Sequence, residues 1–405
     1  MRLRYLGPLA ALSLVVTVAA PAWAAFTATF GSGQYELNGT GSTDSVAMQC
    51  LSNNVSPAPA SPTTCAAIES IVVHPGEGID NVDLSGVTAA LFPNVESVNI
   101  YADTEAFPVS ADVITGTALD DRIYSDFEDE VNGGPGNDRI EDGGTVHGGP
   151  GNDILWRSAG NGGNFGDEGD DRFVNALSQT GNHGGAGDDT LEADFHQAAA
   201  VLDFELTFTA SELQLAVGGV PAGTYPVDGF EHLVITLPEK GTQTFNAAAF
   251  PGDLHLRGFG GTDVITGTKK SDVIHGGTGN DTIEARDGVF DVVDCGLGTD
   301  VAKVDGFDKV VGCESLTYAK PSTGAVKGPK NIVKGRSGKF TFTSNVPGSV
   351  FQCKIDKQAW KSCSSPHLVA TGKLSLGLHT LRVRAGYPKG NWDATPSKKN
   401  FGVTQ

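Results

Sequence analysis

The chain has 405 residues, of which 54 are glycine, 2 are methionine and 8% are aromatic, a composition that excludes one thick apolar core and suits many tight turns around a thin one. Its net charge of −20 is divided: residues 320–405 carry 15 Lys and Arg against 2 acids, a net of +13, and the rest carries 13 basic against 46 acidic residues, a net of −33. Two modules of opposite sign meet near Pro321, and no nucleic-acid partner is expected.

Residues 1–24 predict a signal peptide. Arg2 and Arg4 precede an apolar run ending at Ala22-Trp23-Ala24, the small-x-small arrangement that signal peptidase reads. Cleavage near Ala25 removes both arginines and leaves the acidic part at −35. No later stretch approaches the roughly 20 apolar residues of a membrane span, and no cysteine flanks the cleavage site to accept a lipid. The product is expected to be secreted, extracellular or cell-surface associated. In an oxidising compartment the six cysteines read as three disulfides. Local spacing favours Cys50 with Cys65, Cys295 with Cys313, and Cys353 with Cys363.

Residues 25–115 contain AIESIVV around Glu69 and NVESVNI around Glu96, each pairing a glutamate with an alternating apolar stretch that predicts a strand. The same recurrence returns as GFEHLVI around Glu231 and GCESLTY around Glu314. The insertion between Cys50 and Cys65 reads as a surface loop pinned at its base.

A nonapeptide repeat follows. Residues 116–192 hold a loose forerunner, GTALDDRIY from Gly116, then GGPGNDRIE from Gly133, GGPGNDILW from Gly148, GDEGDDRFV from Gly166 and GGAGDDTLE from Gly184, the last three starting 18 residues apart. Residues 193–257 lack it. Residues 258–318 resume it as GFGGTDVIT from Gly258, GTKKSDVIH from Gly267, GGTGNDTIE from Gly276 and the degenerate CGLGTDVAK from Cys295. Each apolar residue after Asp-x starts a short strand and points inward, which assigns Ile140, Leu155, Phe173, Leu191, Ile265, Ile274 and Ile283 to the core. A flexible glycine linker would not keep an apolar residue at a fixed offset over this register.

These repeats resemble the hemolysin-type calcium-binding, or RTX, family. The resemblance implies a parallel β-roll in which two nonapeptides form one coil, coils stack about 4.8 Å apart, and several calcium ions lie between them. Glycines allow φ > 0 and close approach of carbonyls, and aspartate brings charge to a hard cation. By position, the implied ligands are Asp153, Asp171 and Asp189 in one track, joined by Asp138 after a shortened coil. Asp263 and Asp281 form a second track, with Asp272 on the opposite edge. The turns at Gly134, Gly136, Gly149, Gly151, Gly169, Gly185, Gly187, Gly277 and Gly279 complete the sites. The turns of Asp121 and Asp300 lack glycines that the family uses. The stretches opposite the first track, RSAGNGGNF from Arg157 and NALSQTGNH from Asn175, lack the aspartate, so no ions are expected there. Residues 25–115 and 193–257 are expected as calcium-free coils. Cys295 and Cys313 should sit on adjacent coils, because one strand spacing falls within the roughly 4.4 to 6.8 Å Cα separation of a disulfide.

After a linker at 319–331, residues 332–405 alternate afresh as KFTFTS, SVFQCKID and HTLRVRAG. FQCKIDKQAWKSCSSP with LGLHTLRVRAGYPKGNWDATPS resembles the immunoglobulin-like modules of bacterial surface and secreted proteins. The resemblance implies a small β-sandwich with Cys353 and Cys363 bridged across a hairpin and Trp360 and Trp392 against it. Tyr387-Pro388-Lys389 departs from the acidic residue and glycine usual there. The basic charge is that of a solvated surface or of an anchor for anionic cell-wall polymer or glycan.

The expected fold is therefore all-β, a parallel β-solenoid followed by an immunoglobulin-like sandwich. The expected function is a calcium-stabilised extracellular binding or adhesion scaffold. The alternative is a divergent carbohydrate-active enzyme using the calcium-free coils. H-E-x-x-H, G-x-S-x-G and P-loop patterns are absent from the sequence, and no catalytic residue is assigned. His147, His183 and His275 precede Gly-Gly pairs. His147 and His183 are two coils apart with Phe165 between, about 10 Å, too far to share a metal.

Overall fold

The computed structural model describes residues 26–40, 43–58, 63–102, 111–157, 162–196, 203–388 and 390–405. The expected signal peptide lies outside them. The described chain is all-β, with no α-helix and only a 3-10 turn at Cys65–Ala67. Among the described residues no helix is long and apolar enough to cross a membrane. The chain winds between two long, mainly parallel sheets of 15 strands each, consistent with a β-roll.

The nonapeptide dictates how thin this body is. Arg139–Glu141, Ile154–Trp156 and Arg172–Val174 are three-residue strands, and since side chains alternate across a strand, only the central one can point inward. Ile123, Ile140, Leu155, Phe173, Leu191 and Leu233 thus stack in register as one core column of the first sheet. The second sheet answers with Val82, Ile114, Val131 and Val146, and later with Leu206, Phe245, Ile265, Ile283 and Ala302. All seven core residues expected from the repeat, including Ile274, are fully buried.

Two places in the second column are polar. Asn164 and Asn182 follow Val146 in register and are completely buried. Asn164 Nδ2 donates to Asn182 Oδ1 (3.0 Å), and Asn182 Nδ2 donates to the carbonyls of Ser178 (2.8 Å) and Pro226 (3.0 Å). A buried amide costs little when its hydrogen bonds are made.

Residues 193–257 are not plain coils. Phe204–Phe208, Glu212–Val217 and Val220–Asp228 form an antiparallel meander. Its alternating apolar residues continue the core, and Gly218-Gly219, both with φ > 0, makes the two-residue hairpin turn. The second sheet stays continuous because Asn182 pairs with Val227 and Glu205 with Thr244.

Three disulfides join Cys50 to Cys65, Cys295 to Cys313 and Cys353 to Cys363, with Cα separations of 6.0, 5.2 and 5.8 Å. The second staples neighbouring coils one residue out of register, since Asp294 pairs with Val311.

The basic module has a five-stranded sheet, a two-stranded sheet of Ser337–Phe340 with His367–Ala370, and its own core around Phe340, Leu381, Val383 and Phe401. Residues 319–331, expected as a linker, are laid against this module. Thr323 bridges to Ser344 and Lys327 to Thr341, and Asp393 accepts from the Thr323 amide (2.7 Å) and hydroxyl (2.8 Å). Tyr387 closes the junction, donating to the Ala319 carbonyl (2.6 Å) and packing edge-on against Phe307 of the last coil.

Candidate calcium sites

Each repeat aspartate sits immediately before its short strand, and there it does the same thing. In the two main tracks Oδ1 accepts the main-chain N–H of the residue in the same place one coil earlier. In the first sheet Asp121 donates to Asp138 (2.8 Å), Asp138 to Asp153 (2.7 Å), Asp153 to Asp171 (2.8 Å) and Asp171 to Asp189 (2.8 Å). The track therefore begins at Asp121 rather than Asp138. It closes where Asp189 donates to Glu231 Oε2 (3.0 Å). In the second sheet the amides of Gln243, Asp263, Asp281 and Asp300 donate in turn to Asp263 (3.1 Å), Asp281 (2.9 Å), Asp300 (2.8 Å) and Glu314 (2.8 Å). Asp272 lies on the opposite edge from these, in the first sheet, in line with Asp291 and Asp308. Two of the recurrent glutamates thus terminate ladders, a role their sequence context did not reveal.

The second oxygen carries the chemistry. Oδ2 of Asp138, Asp153, Asp171, Asp189, Asp263, Asp281, Asp291 and Asp300 is buried with no hydrogen-bond partner. Leaving a buried carboxylate oxygen unmatched is costly, and a bound cation is one way to compensate it. Burial, with neighbouring aspartates adding to it, pushes the carboxyl of Asp138 up to about 8 and those of Asp153, Asp171 and Asp263 up to about 7. The glycine opening each repeat makes room for this oxygen: a Cβ on Gly276 would come within 2.6 Å of Asp281 Oδ2, and one on Gly184 within 2.7 Å of Asp189 Oδ2. Further along the turn the chain takes φ > 0 at Gly134, Gly149, Gly185 and Gly277, and again at Gly136, Gly151, Gly169, Gly187 and Gly279. Among the described residues no three His, Cys, Asp or Glu side chains converge on one point, so a cation here would need main-chain carbonyls as well as carboxylates, as a hard ion accepts. The family model of the RTX calcium-binding nonapeptide repeat matches the chain in four copies, over residues 145–163, 183–195 and 257–289. The chain carries RTX calcium-binding repeats. No curated protein matches it.

Not every RTX turn leaves an oxygen unmatched. Asp272 accepts from the Thr268 amide (2.7 Å) and hydroxyl (2.7 Å), and the Leu254 amide shares Oδ1 (3.1 Å). Thr117 serves Asp121 in the same way, and Thr40 serves Asp44. All three belong to G-T-x-x-x-D, in which threonine stands where the full repeat has its second glycine. Asp272, expected among the ligands, is therefore satisfied by its own turn, whereas Asp300, whose turn departs from the family pattern, keeps a bare oxygen. Asp281→Ala should lower the calcium stoichiometry measured by calorimetric titration and Asp272→Ala should leave it unchanged; equal losses would refute the distinction.

The N-terminal coils also carry an aspartate ladder, Asp44, Asp80, Asp112 and Asp129. Unequal spacings of 36, 32 and 17 residues between successive members hide its register in the sequence, although D-x-apolar-x marks each one. His147 and His183 stack on either side of Phe165, with ring centroids 4.4 and 4.8 Å away, and their Nδ1 atoms meet Asp167 (3.1 Å) and Asp228 (2.7 Å). They form a surface stack with no shared metal position.

Proposed function

We propose that this is a secreted, non-catalytic scaffold whose acidic solenoid is held together by calcium and whose basic, immunoglobulin-like C-terminal module attaches it to an anionic extracellular polymer. The calcium ligands are Asp138, Asp153, Asp171, Asp189, Asp263 and Asp281 with the carbonyls of their glycine turns. The observation that carries this reading is the row of buried Oδ2 atoms without partners on the repeat aspartates. Calcium supplies positive charge between coils, and the protein supplies oxygens already fixed by the amide ladder.

The basic module supports the attachment role through its charge and through a core and disulfide separate from those of the solenoid. Purified protein should sediment with cell envelopes in calcium. Because the charges are exposed, raising salt from 0.1 M to 1 M, which shortens the Debye length from about 10 Å to about 3 Å, should release it. Failure to sediment at low salt, or release by chelator but not by salt, would contradict attachment through the basic module.

A further inference from the structure

The outer face of the five-stranded sheet concentrates the module's charge where no carboxylate of the module neutralises it. Lys354 lies opposite Arg382, and Arg382 opposite Lys398. Their neighbours Cys353, Leu381 and Val383 are buried, so the three cations share the outward side. Like charges directly opposite one another on a sheet destabilise it. The module contains only two acids, and both are engaged elsewhere: Asp356 with His379 (2.7 Å) and the Thr380 amide (2.8 Å), Asp393 with Thr323 and Thr395. Among the described residues of the module, the His379–Asp356 pair is the one ion pair.

The next row provides a different surface. Arg384 donates through Nε (3.1 Å) and Nη2 (2.7 Å) to Gln352 Oε1, and its guanidinium lies 4.4 Å from the Trp360 ring centroid and 5.2 Å from that of Trp392. Lys354 Nζ is 4.8 Å from the Trp360 centroid. Trp392 rests on Gly386, where no side chain intervenes. Beside it opens a cleft of about 650 Å³ in which Gln352, Ser362, Ser364 and Ser365 lie among the apolar Phe351, Pro388 and Trp392. Hydroxyls and an amide next to an indole ring suit the hydroxyl groups and C–H faces of sugars, and the cationic row suits carboxylates spaced along a chain.

We infer that this face docks an acidic polysaccharide, with Lys354, Arg382 and Lys398 taking its carboxylates and Trp360 and Trp392 its sugar rings. The inference rests on the attachment role proposed for the basic module and places it on one surface. An acidic peptide would use the cations but gain little from the indoles and serines.

The test is titration of the full chain in calcium with polygalacturonate, following tryptophan fluorescence, with poly-L-glutamate and neutral dextran in parallel. Polygalacturonate should bind more tightly than poly-L-glutamate, and dextran most weakly. Replacing Lys354, Arg382 and Lys398 together by Gln should weaken polygalacturonate at least ~10-fold. The same change at Lys320, Lys327 and Lys330 should cost much less. Trp360→Ala and Trp392→Ala should each weaken polygalacturonate more than poly-L-glutamate. The triple variant changes outward side chains and removes a repulsion, so it remains informative if a tryptophan variant misfolds. Equal losses from the two triple variants would overturn this surface and leave attachment standing. Poly-L-glutamate binding as tightly as polygalacturonate would overturn the sugar, and a wild-type chain that ignores polygalacturonate would overturn the attachment role as well.

Discussion

In excess chelator near pH 8, residues 26–318 should lose most of their β signal in circular dichroism and regain it on addition of calcium. Residues 26–318 carry 11 basic against 46 acidic residues, a net of −35, and they are wound so that like charges repeat at about 4.8 Å. Each core column adds one apolar side chain per strand, which leaves little apolar burial to oppose that repulsion. An ion bound only by the native coil contributes about 2.7 kcal/mol when its concentration is 100-fold above its dissociation constant. Several such ions therefore decide the balance. Dissociation constants of about 10⁻⁴ to 10⁻³ M, the range of extracellular modules, are expected. The basic module, with its own core and disulfide, should keep its structure in chelator. A complete β signal without calcium would refute the account.

Without calcium, acid should stabilise the solenoid. Asp138 and Asp291 are raised to about 8, and Asp153, Asp171 and Asp263 to about 7, from 3.8, chiefly by burial. A folded chain with raised carboxyls holds protons that the unfolded chain has released. This stabilisation is complete below the unfolded values and is lost as pH rises through the folded ones, between about 4 and 8. In chelator, the β signal lost near pH 8 should therefore be regained, at least in part, as pH falls towards 5. Saturating calcium should remove or reverse that dependence, because the ions require ionised ligands. A β signal in chelator that stays flat or falls as pH drops from 8 to 5 would count against buried carboxyls as the source of instability.

Much of this architecture was legible in the sequence because the repeat couples a turn, a charge and an inward residue at fixed offsets. That coupling identified Ile140, Leu155, Phe173 and Ile283 as core, and the distance from Cys295 to Cys313 matched one coil. What stayed hidden lay where a different interaction fills the same place. Asn164 and Asn182 were not among the core residues assigned from the repeat, because a buried amide ladder has no apolar signature. The meander at 204–228 and the bound segment at 319–331 depend on partners far along the chain. Asp272 resembled its neighbours, yet one threonine in place of glycine changes how its carboxylate is satisfied. Glu231 and Glu314 recur visibly, but their part in ending the ladders depends on the register of the coil before them.

The bridge between Cys295 and Cys313 has a mechanical consequence. A coil without such a bridge, peeled from the stack, could release 18 residues and extend by about 60 Å at about 3.4 Å per residue. The bridged coil closes on itself over a sequence separation of 18 and cannot yield that length. It is also the region that Tyr387 and Ala319 join to the basic module. A molecule tethered through that module and pulled at its other end would lengthen in coil-sized steps from the part held by calcium, while the end nearest its anchor stayed fixed.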